Sequence, residues 1–257
     1  MDTVRYKATI AYDGTGFAGF QIQPNARTVQ GEIEKALKII QKDTPVRIHP
    51  AGRTDSGVHA KAMVFHFDFL KTIPQEGVFK ALNVLTPPDI TLNKLERVTD
   101  TYHARYHAIK KTYTFRIDNN LLPNPFTRNF VYHHPYKMDK ERAEEALNYL
   151  VGEHDFTSFC SAKTDKDDKV RTIYEASIEV NEERKEWIFT FTGDGFLYHM
   201  IRIIMGTVLP IADGRSEPIR MKQILKSKNR EEAGQTISPN GLWLEKIYYE
   251  MDDFLLK

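Results

Sequence analysis

Hydrophobic and polar positions alternate with a period of two over residues 4–12, where Tyr6, Ala8, Ile10 and Tyr12 oppose Arg5, Lys7 and Thr9. That is the pattern of a half-buried strand. The period changes at Thr28: Val29, Ile33, Leu37 and Ile40 share one face of a helix that Thr28 can cap and that runs to about residue 43. Residues 63–69 alternate again, with Met63, Phe65, Phe67 and Phe69 against Val64, His66 and Asp68. Residues 92–98 and 111–117 supply two further expected strands, and a turn-rich segment over 118–125 separates the halves. The second half begins with an expected strand at 128–133. A helix follows, capped by Asp139, with Ala143, Ala146, Leu147 and Leu150 facing inward and Gly152 as its stop. Residues 172–180 and 187–192 read as a hairpin around Asn181-Glu182-Glu183-Arg184. A mostly apolar helix is expected over 196–212, a short basic helix over 221–228 opened by Pro218, and a closing strand over 244–250. Each half is therefore a set of strands with helix laid on one face, which makes the fold class α+β with two similar halves, although no residue-level repeat joins them.

Composition narrows the setting. The 257 residues are 41% hydrophobic and 28% charged, an ordinary globular mixture. A single cysteine, Cys160, excludes a disulfide framework and any zinc site built on paired thiolates, and fits a reducing compartment. The first residues alternate charged and apolar side chains, unlike a signal peptide, and the longest apolar run, 203–212, is too short to span a bilayer. The expectation is a cytoplasmic protein without a membrane segment. The charge is less informative as a total: 36 basic against 35 acidic residues leave +1. It is uneven, however. Residues 101–140 hold seven basic residues against two acidic, together with four histidines and eight aromatics. Basic groups interleaved with aromatics suit phosphate contact and base stacking, and equally suit a solvated strand pair with one aromatic face.

Two local motifs compete for a chemical role. Gly14-Thr15-Gly16-Phe17-Ala18-Gly19 matches the dinucleotide fingerprint and follows a strand. That fingerprint must open a helix so that pyrophosphate meets the helix N-terminus, whereas here the helix waits until Thr28. Ala51-Gly52-Arg53-Thr54-Asp55-Ser56-Gly57-Val58-His59-Ala60 is by itself turn chemistry, since Asp, Ser and Gly satisfy tight turns. Yet Arg53 and Asp55 sit two apart, so an extended segment projects both to one side, and the loop joins two expected strands that would hold it rigidly.

The stretch Gly52 to Ala60 resembles the signature of the tRNA pseudouridine synthase A (TruA) family. The likeness extends along nearly the whole chain through Tyr12-Asp13-Gly14-Thr15-Gly16-Phe17-Ala18-Gly19-Phe20-Gln21, Thr28-Val29-Gln30-Gly31-Glu32-Ile33-Glu34, Tyr102-His103-Ala104-Arg105-Tyr106, Lys111-Thr112-Tyr113, Gly152-Glu153-His154-Asp155-Phe156, Val170-Arg171-Thr172-Ile173 and Gly195-Phe196-Leu197-Tyr198-His199-Met200-Ile201-Arg202. The departures are small: Tyr102 and Phe115 exchange one aromatic for another, and Thr236-Ile237-Ser238-Pro239-Asn240-Gly241-Leu242 replaces a more proline-rich turn. The resemblance implies a pseudouridine synthase fold of two similar halves, with mainly antiparallel sheets, helices on one face and a central cleft. Residues 1–105 would carry the catalytic loop, and 106–257 would complete the active site and the RNA-binding cleft.

It also implies the chemistry. Uridine in the anticodon stem-loop of tRNA, at positions 38, 39 and 40, would be isomerised to pseudouridine by breaking the N1–C1′ bond, turning the uracil and rejoining it through C5. Nothing is oxidised, so neither cofactor nor metal is required. Asp55 falls on the family's catalytic carboxylate, acting as nucleophile or as base at the ribose. Arg202 falls on the arginine that pairs with it, and a neighbouring cation favours the ionised carboxylate. Arg53 would enter the space of the extruded base, and Tyr113 would stack on the uracil. Arg105, Lys110, Lys111 and Arg171 become candidate phosphate contacts. The family works as a homodimer on one tRNA. A non-catalytic tRNA-binding module is the competing class, and a nucleotide-dependent enzyme built on the 14–19 glycines a distant third.

Overall fold

The computed structural model describes residues 3–70, 73–164, 167–250 and 254–255. Two residues of the charged 161–169 loop, expected to be mobile, lie outside them. The chain forms two compact units, one comprising Met1–Ile109 with Trp243–Lys257 and the other Lys110–Leu242.

The first unit opens with β1 (Thr3–Tyr12), whose Tyr6, Ala8, Ile10 and Tyr12 are buried as the alternation requires. Helix α1 (Val29–Ile40) starts at Thr28, whose side chain accepts a hydrogen bond from the Gly31 N–H at 3.2 Å. Strand β2 is only His49–Pro50, β3 runs His59–Leu70, α2 spans Gln75–Leu85 and β4 spans Ile90–Val98. Strand β1 lies between β3 and β4, antiparallel to both, and β2 pairs antiparallel with β3. Ile10, Phe65, Ile90 and Leu92 of the sheet meet Ile33 of α1 and Leu82 of α2, so the apolar helix stripes close over the aromatic face. Helix α2 has no counterpart among the expected elements. It begins after Pro74 with no side-chain cap and buries only Val78 and Leu82, too thin a stripe to announce itself.

Strand β3 departs from simple alternation. Val64 and His66 are as buried as Met63, Phe65, Phe67 and Phe69. The second face of the strand is covered by the 102–107 turn, where the Tyr102 ring meets His66 edge-on at 6.1 Å.

In the second unit β5 (Ala108–Asp118), β7 (Gly152–Asp155), β8 (Val170–Asn181) and β9 (Glu186–Gly193) form an antiparallel sheet in the order β5-β9-β8-β7. The expected hairpin is there as β8 and β9. The expected strand over 128–133 is reduced to β6 (Tyr132–His133), parallel to the end of β5. Its upstream residues are turns instead, closed by Thr127 N–H to Asn124 O and Phe130 N–H to Thr127 O. The Asn240 amide also takes the Arg128 and Val131 carbonyls, at 2.7 and 2.9 Å, that a ladder would have used. Helix α3 (Lys140–Asn148) is capped by Asp139 as expected. Helix α4 (Met200–Ala212) starts four residues later than the apolar run, because His199 adopts φ 62° and breaks helical geometry just before it. Helix α5 is Ile219–Ser227 and follows Pro218.

The last strand, β10 (Leu242–Tyr249), pairs in parallel with the start of β3 through Trp243 and Leu244. The units therefore do not divide as contiguous halves at residue 105. The chain returns after 242 to complete the first unit, where the Tyr249 hydroxyl donates to the Ala104 carbonyl at 2.6 Å.

Candidate active site

Asp55 stands on the loop between β2 and β3, and the structure shows why that loop is rigid. Its near end is tied by Ala51 N–H to Val64 O at 2.8 Å. Thr54, almost wholly buried, shares a 2.7 Å hydrogen bond with the Tyr12 hydroxyl, while its carbonyl accepts from Phe20 N–H at 3.1 Å. The Ser56 hydroxyl donates to Phe17 O at 3.1 Å, and Val58 N–H returns to Asp55 O at 3.2 Å. Exposed Arg53, buried Thr54 and half-buried Asp55 then alternate, as an extended segment requires. Among the described residues Arg53 makes no ion pair.

The glycines at 14 and 19 acquire a meaning that a phosphate-loop reading could not give them. A Cβ on Gly14 would lie 2.1 Å from the Val58 carbonyl oxygen. A Cβ on Gly19 would lie 2.9 Å from Thr54 O and 3.3 Å from the Asp55 carbonyl carbon. Gly19 also has φ +96°, a conformation open to glycine. The 14–19 turn is thus pressed backbone to backbone against the loop that carries Asp55. It is anchored in turn by Val29 N–H to Gly19 O and Gln30 N–H to Phe20 O, which brace it on the first turn of α1. His59 completes the clamp. Fully buried, it accepts the Gly14 N–H at Nδ1 at 3.0 Å, and its ring stacks on Trp243 at 4.5 Å. That Tyr12, Thr54, His59 and Trp243 pack together around the loop is not legible in the sequence. The available signal was the glycine spacing itself, with its missing helix.

The other expected site residues lie in the second unit. Tyr113 sits in β5 opposite Phe191 of β9, 9% exposed, its ring edge-on to Phe196 at 5.2 Å. Phe196 belongs to the same 195–202 stretch as Arg202, so that motif and Tyr113 meet inside this unit. Arg202 is a half-buried cation on α4 between buried Ile201 and Ile203, a placement that needs polar compensation. Its Nε donates to the Ile237 carbonyl at 2.8 Å, which fixes the guanidinium plane. Arg171 faces Asp168 at 3.5 Å. Lys110 and Lys111 are half-buried at the start of β5, whereas Arg105 is exposed in the first unit with its guanidinium 6.0 Å from the centre of the Tyr106 ring.

One histidine group deserves comparison with a metal centre. Donor nitrogens of His49, His66 and His103 lie within 4.8 Å of one another. The backbone claims two of these rings, since Ala104 N–H donates to His66 Nδ1 and Arg105 N–H to His103 Nδ1, both at 3.2 Å. Each neutral ring then carries its proton on Nε2, which cannot also offer a lone pair to a metal. The arrangement pins the 103–105 turn to β3. Burial, aided by the charges of His103, His49 and Arg5 and opposed by Asp68, holds the His66 imidazole down to about 3. The unfolded ring, near its ordinary value of about 6.5, takes up a proton that the folded ring refuses. The His66 contribution to stability is therefore complete above about pH 6.5 and is lost as pH falls towards 3, by on the order of 1 kcal/mol per pH unit at most. Thermal unfolding between pH 7 and 4 is expected to show this decline in the parent protein and a flatter profile in His66→Asn, whose amide oxygen can still accept from Ala104. Equal slopes would remove His66 as the cause.

Comparison with known proteins identifies the family. The profile of the tRNA pseudouridine synthase family matches residues 8–107 and 146–250. A tRNA pseudouridine synthase A from Anoxybacillus flavithermus is 52% identical over 246 residues, covering 96% of this chain and 99% of its own. Counterparts from Streptococcus sanguinis and Latilactobacillus sakei are 49% and 44% identical, each over 96% of this chain, and the alignments cover 99% and 100% of their own lengths. A solved Cbf5-Nop10-Gar1 complex aligns with TM-score 0.35 and 10% identity over 79% of this chain, which spans about half (54%) of that chain.

Proposed function

The chain belongs to the tRNA pseudouridine synthase family and isomerises uridine in tRNA, and on that premise we propose that Asp55 is the carboxylate that performs the reaction on uridines 38, 39 and 40 of the anticodon stem-loop. The observation that carries the proposal is the clamp on residues 54–58: a half-exposed carboxylate is held on a loop whose flanking peptides are hydrogen-bonded and sterically pinned. Catalysis by a fixed group gains from such preorganisation, because no ordering has to occur at the moment of reaction.

In the proposed sequence the target base leaves the stack, and Arg53, exposed beside Asp55, fills the vacated space with a planar cation. Tyr113 stacks on the uracil. Asp55, paired with Arg202, acts on the ribose as nucleophile or as base while N1–C1′ breaks. The uracil turns, C5 bonds to C1′, the proton leaves C5, and N1 ends protonated. The first unit supplies the catalytic loop and Arg105, and the second supplies Tyr113 and Arg202, with Arg105, Lys110, Lys111 and Arg171 on phosphates. The working form is a cytoplasmic homodimer. No helix among the described residues is long and apolar enough to cross a membrane.

Loss of the C5 proton supplies the test. With tRNA carrying [5-³H]uridine and lacking pseudouridine, the protein is expected to release tritium. Product mapping is expected to place pseudouridine at positions 38–40. Tyr113→Phe keeps the stacking ring but removes the hydroxyl, which we assign to carrying the C5 proton, so binding should persist while release slows. Tritium release with product outside the anticodon arm would overturn the site assignment, and no release at all would overturn the catalytic one.

A further inference from the structure

The short basic helix expected near 221–228 has no part in the chemistry above, yet its charge is unusual. Residues 218–230 contain Arg220, Lys222, Lys226, Lys228 and Arg230 and no acidic residue. Arg220 is ion-paired with Glu232, and Arg230 bonds to Thr236. The three lysines line an open groove of about 360 Å³ between α5 and the segment joining α3 to β7, with Asn148, Tyr149, His154 and Asp155 on the opposite wall.

Helix electrostatics does not account for this charge. A cation near the C-terminus of a helix is favoured, which explains Lys226. Arg220 and Lys222 occupy the N-terminal part of α5, where the dipole favours anions, and the first turn contains no acidic residue. Packing does not account for it either, because Met221, Ile224 and Leu225 are the residues that α5 buries. Lys222 reaches across the groove over the Tyr149 ring at 5.6 Å, and Lys228 pairs with Asp155 at 2.9 Å. Among the described residues Lys222 and Lys226 make no ion pair. They sit four residues apart on one helix face, separated by about 6 Å of rise, a spacing comparable to that of successive phosphates along an RNA strand.

We propose that this groove binds the phosphodiester backbone of the tRNA, as a contact that shares no residue with the catalytic set. The proposal rests on the tRNA reading above. A near-neutral chain must concentrate positive charge locally to hold a polyanion, and α5 concentrates it at some cost to its own dipole. The contact is independent of sequence: it strengthens binding and leaves the chemical step alone.

The test compares the parent protein with Lys222→Gln/Lys226→Gln and with Lys222→Arg/Lys226→Arg. Each is assayed for tRNA affinity across a salt series and for kcat at saturating tRNA. The glutamine pair is expected to weaken binding on the order of tenfold and to reduce the slope of log K against log salt by about 2, one for each lost phosphate contact. Its kcat should be unchanged, and the arginine pair should bind like the parent. Affinity and slope unchanged in the glutamine pair, with the parent releasing tritium normally, would overturn the groove alone. A parent that binds tRNA and shows the lysine dependence but releases no tritium would leave the groove standing and remove the catalytic reading. A parent that binds no tRNA would remove both.

Discussion

Asp55→Asn is expected to lower tritium release from tRNA by roughly 10⁴-fold or more while leaving the fold intact. Asparagine has the size and shape of aspartate but can neither ionise nor act as nucleophile or base, so both routes left open for the carboxylate fail together. The loop itself should not move. It is held by the Thr54 and Ser56 contacts and by main-chain bonds, none of which needs the Asp55 charge. Loss of the charge proposed to face Arg202 at this half-exposed site is expected to cost about 1 kcal/mol, or about 2–4 °C in Tm for a chain of this size. The informative measurements are therefore kcat by tritium release beside Tm by thermal unfolding. Retention of substantial activity would sink the assignment of Asp55. A large fall in Tm would mean that the activity loss reports folding instead.

The second large effect is expected from a residue that never touches substrate. Gly14→Ala would place a methyl group 2.1 Å from the Val58 carbonyl oxygen and 2.5 Å from its carbon. Both are backbone atoms, so no side chain can swing aside, and either the 14–19 turn or the catalytic loop must shift. Overpacking of this severity costs about 3 kcal/mol, which corresponds to a fall of roughly 6–12 °C in Tm. Displacement of the Asp55 loop by an ångström should also lower kcat on the order of 100-fold, measured below the unfolding transition. Gly16→Ala is the control, because its nearest obstacle is the far end of the Arg27 side chain at 3.0 Å, which can move. If Gly14→Ala kept parental kcat and Tm, the backbone clamp would not be what positions Asp55.

These two variants mark different kinds of legibility. Asp55, Arg53, Tyr113 and Arg202 stand in contiguous motifs, so their chemistry could be weighed from neighbours in the chain. Gly14 could not. Its glycine spacing suggested a phosphate loop, and only the missing helix argued otherwise, because the obstacle that excludes a side chain is a carbonyl more than forty residues away. Elements followed the same division. Strand β1, helix α1 and the β8–β9 hairpin have strong periods and local caps, with Thr28 and Asp139 capping as expected. Helix α2 lacked a start signal, and the strand expected at 128–133 lost most of its length because Asn240 took its carbonyls. The alternation at 63–69 does not reveal that both faces of β3 are buried for a similar reason, since the turn that covers His66 arrives from residues 102–107.

The sequence by itself determined the turn character of the loop at 51–60, the α+β class and the period of the main elements. Those properties depend on residues close together in the chain, where steric preference, capping and side-chain alternation act locally. Tertiary structure alone decided that the 14–19 turn braces Asp55, that the chain after residue 242 returns to the first unit, and that three lysines of one basic segment line a single groove. Each of these depends on which distant backbone fills the neighbouring space, and close packing settles that only once the whole chain has folded.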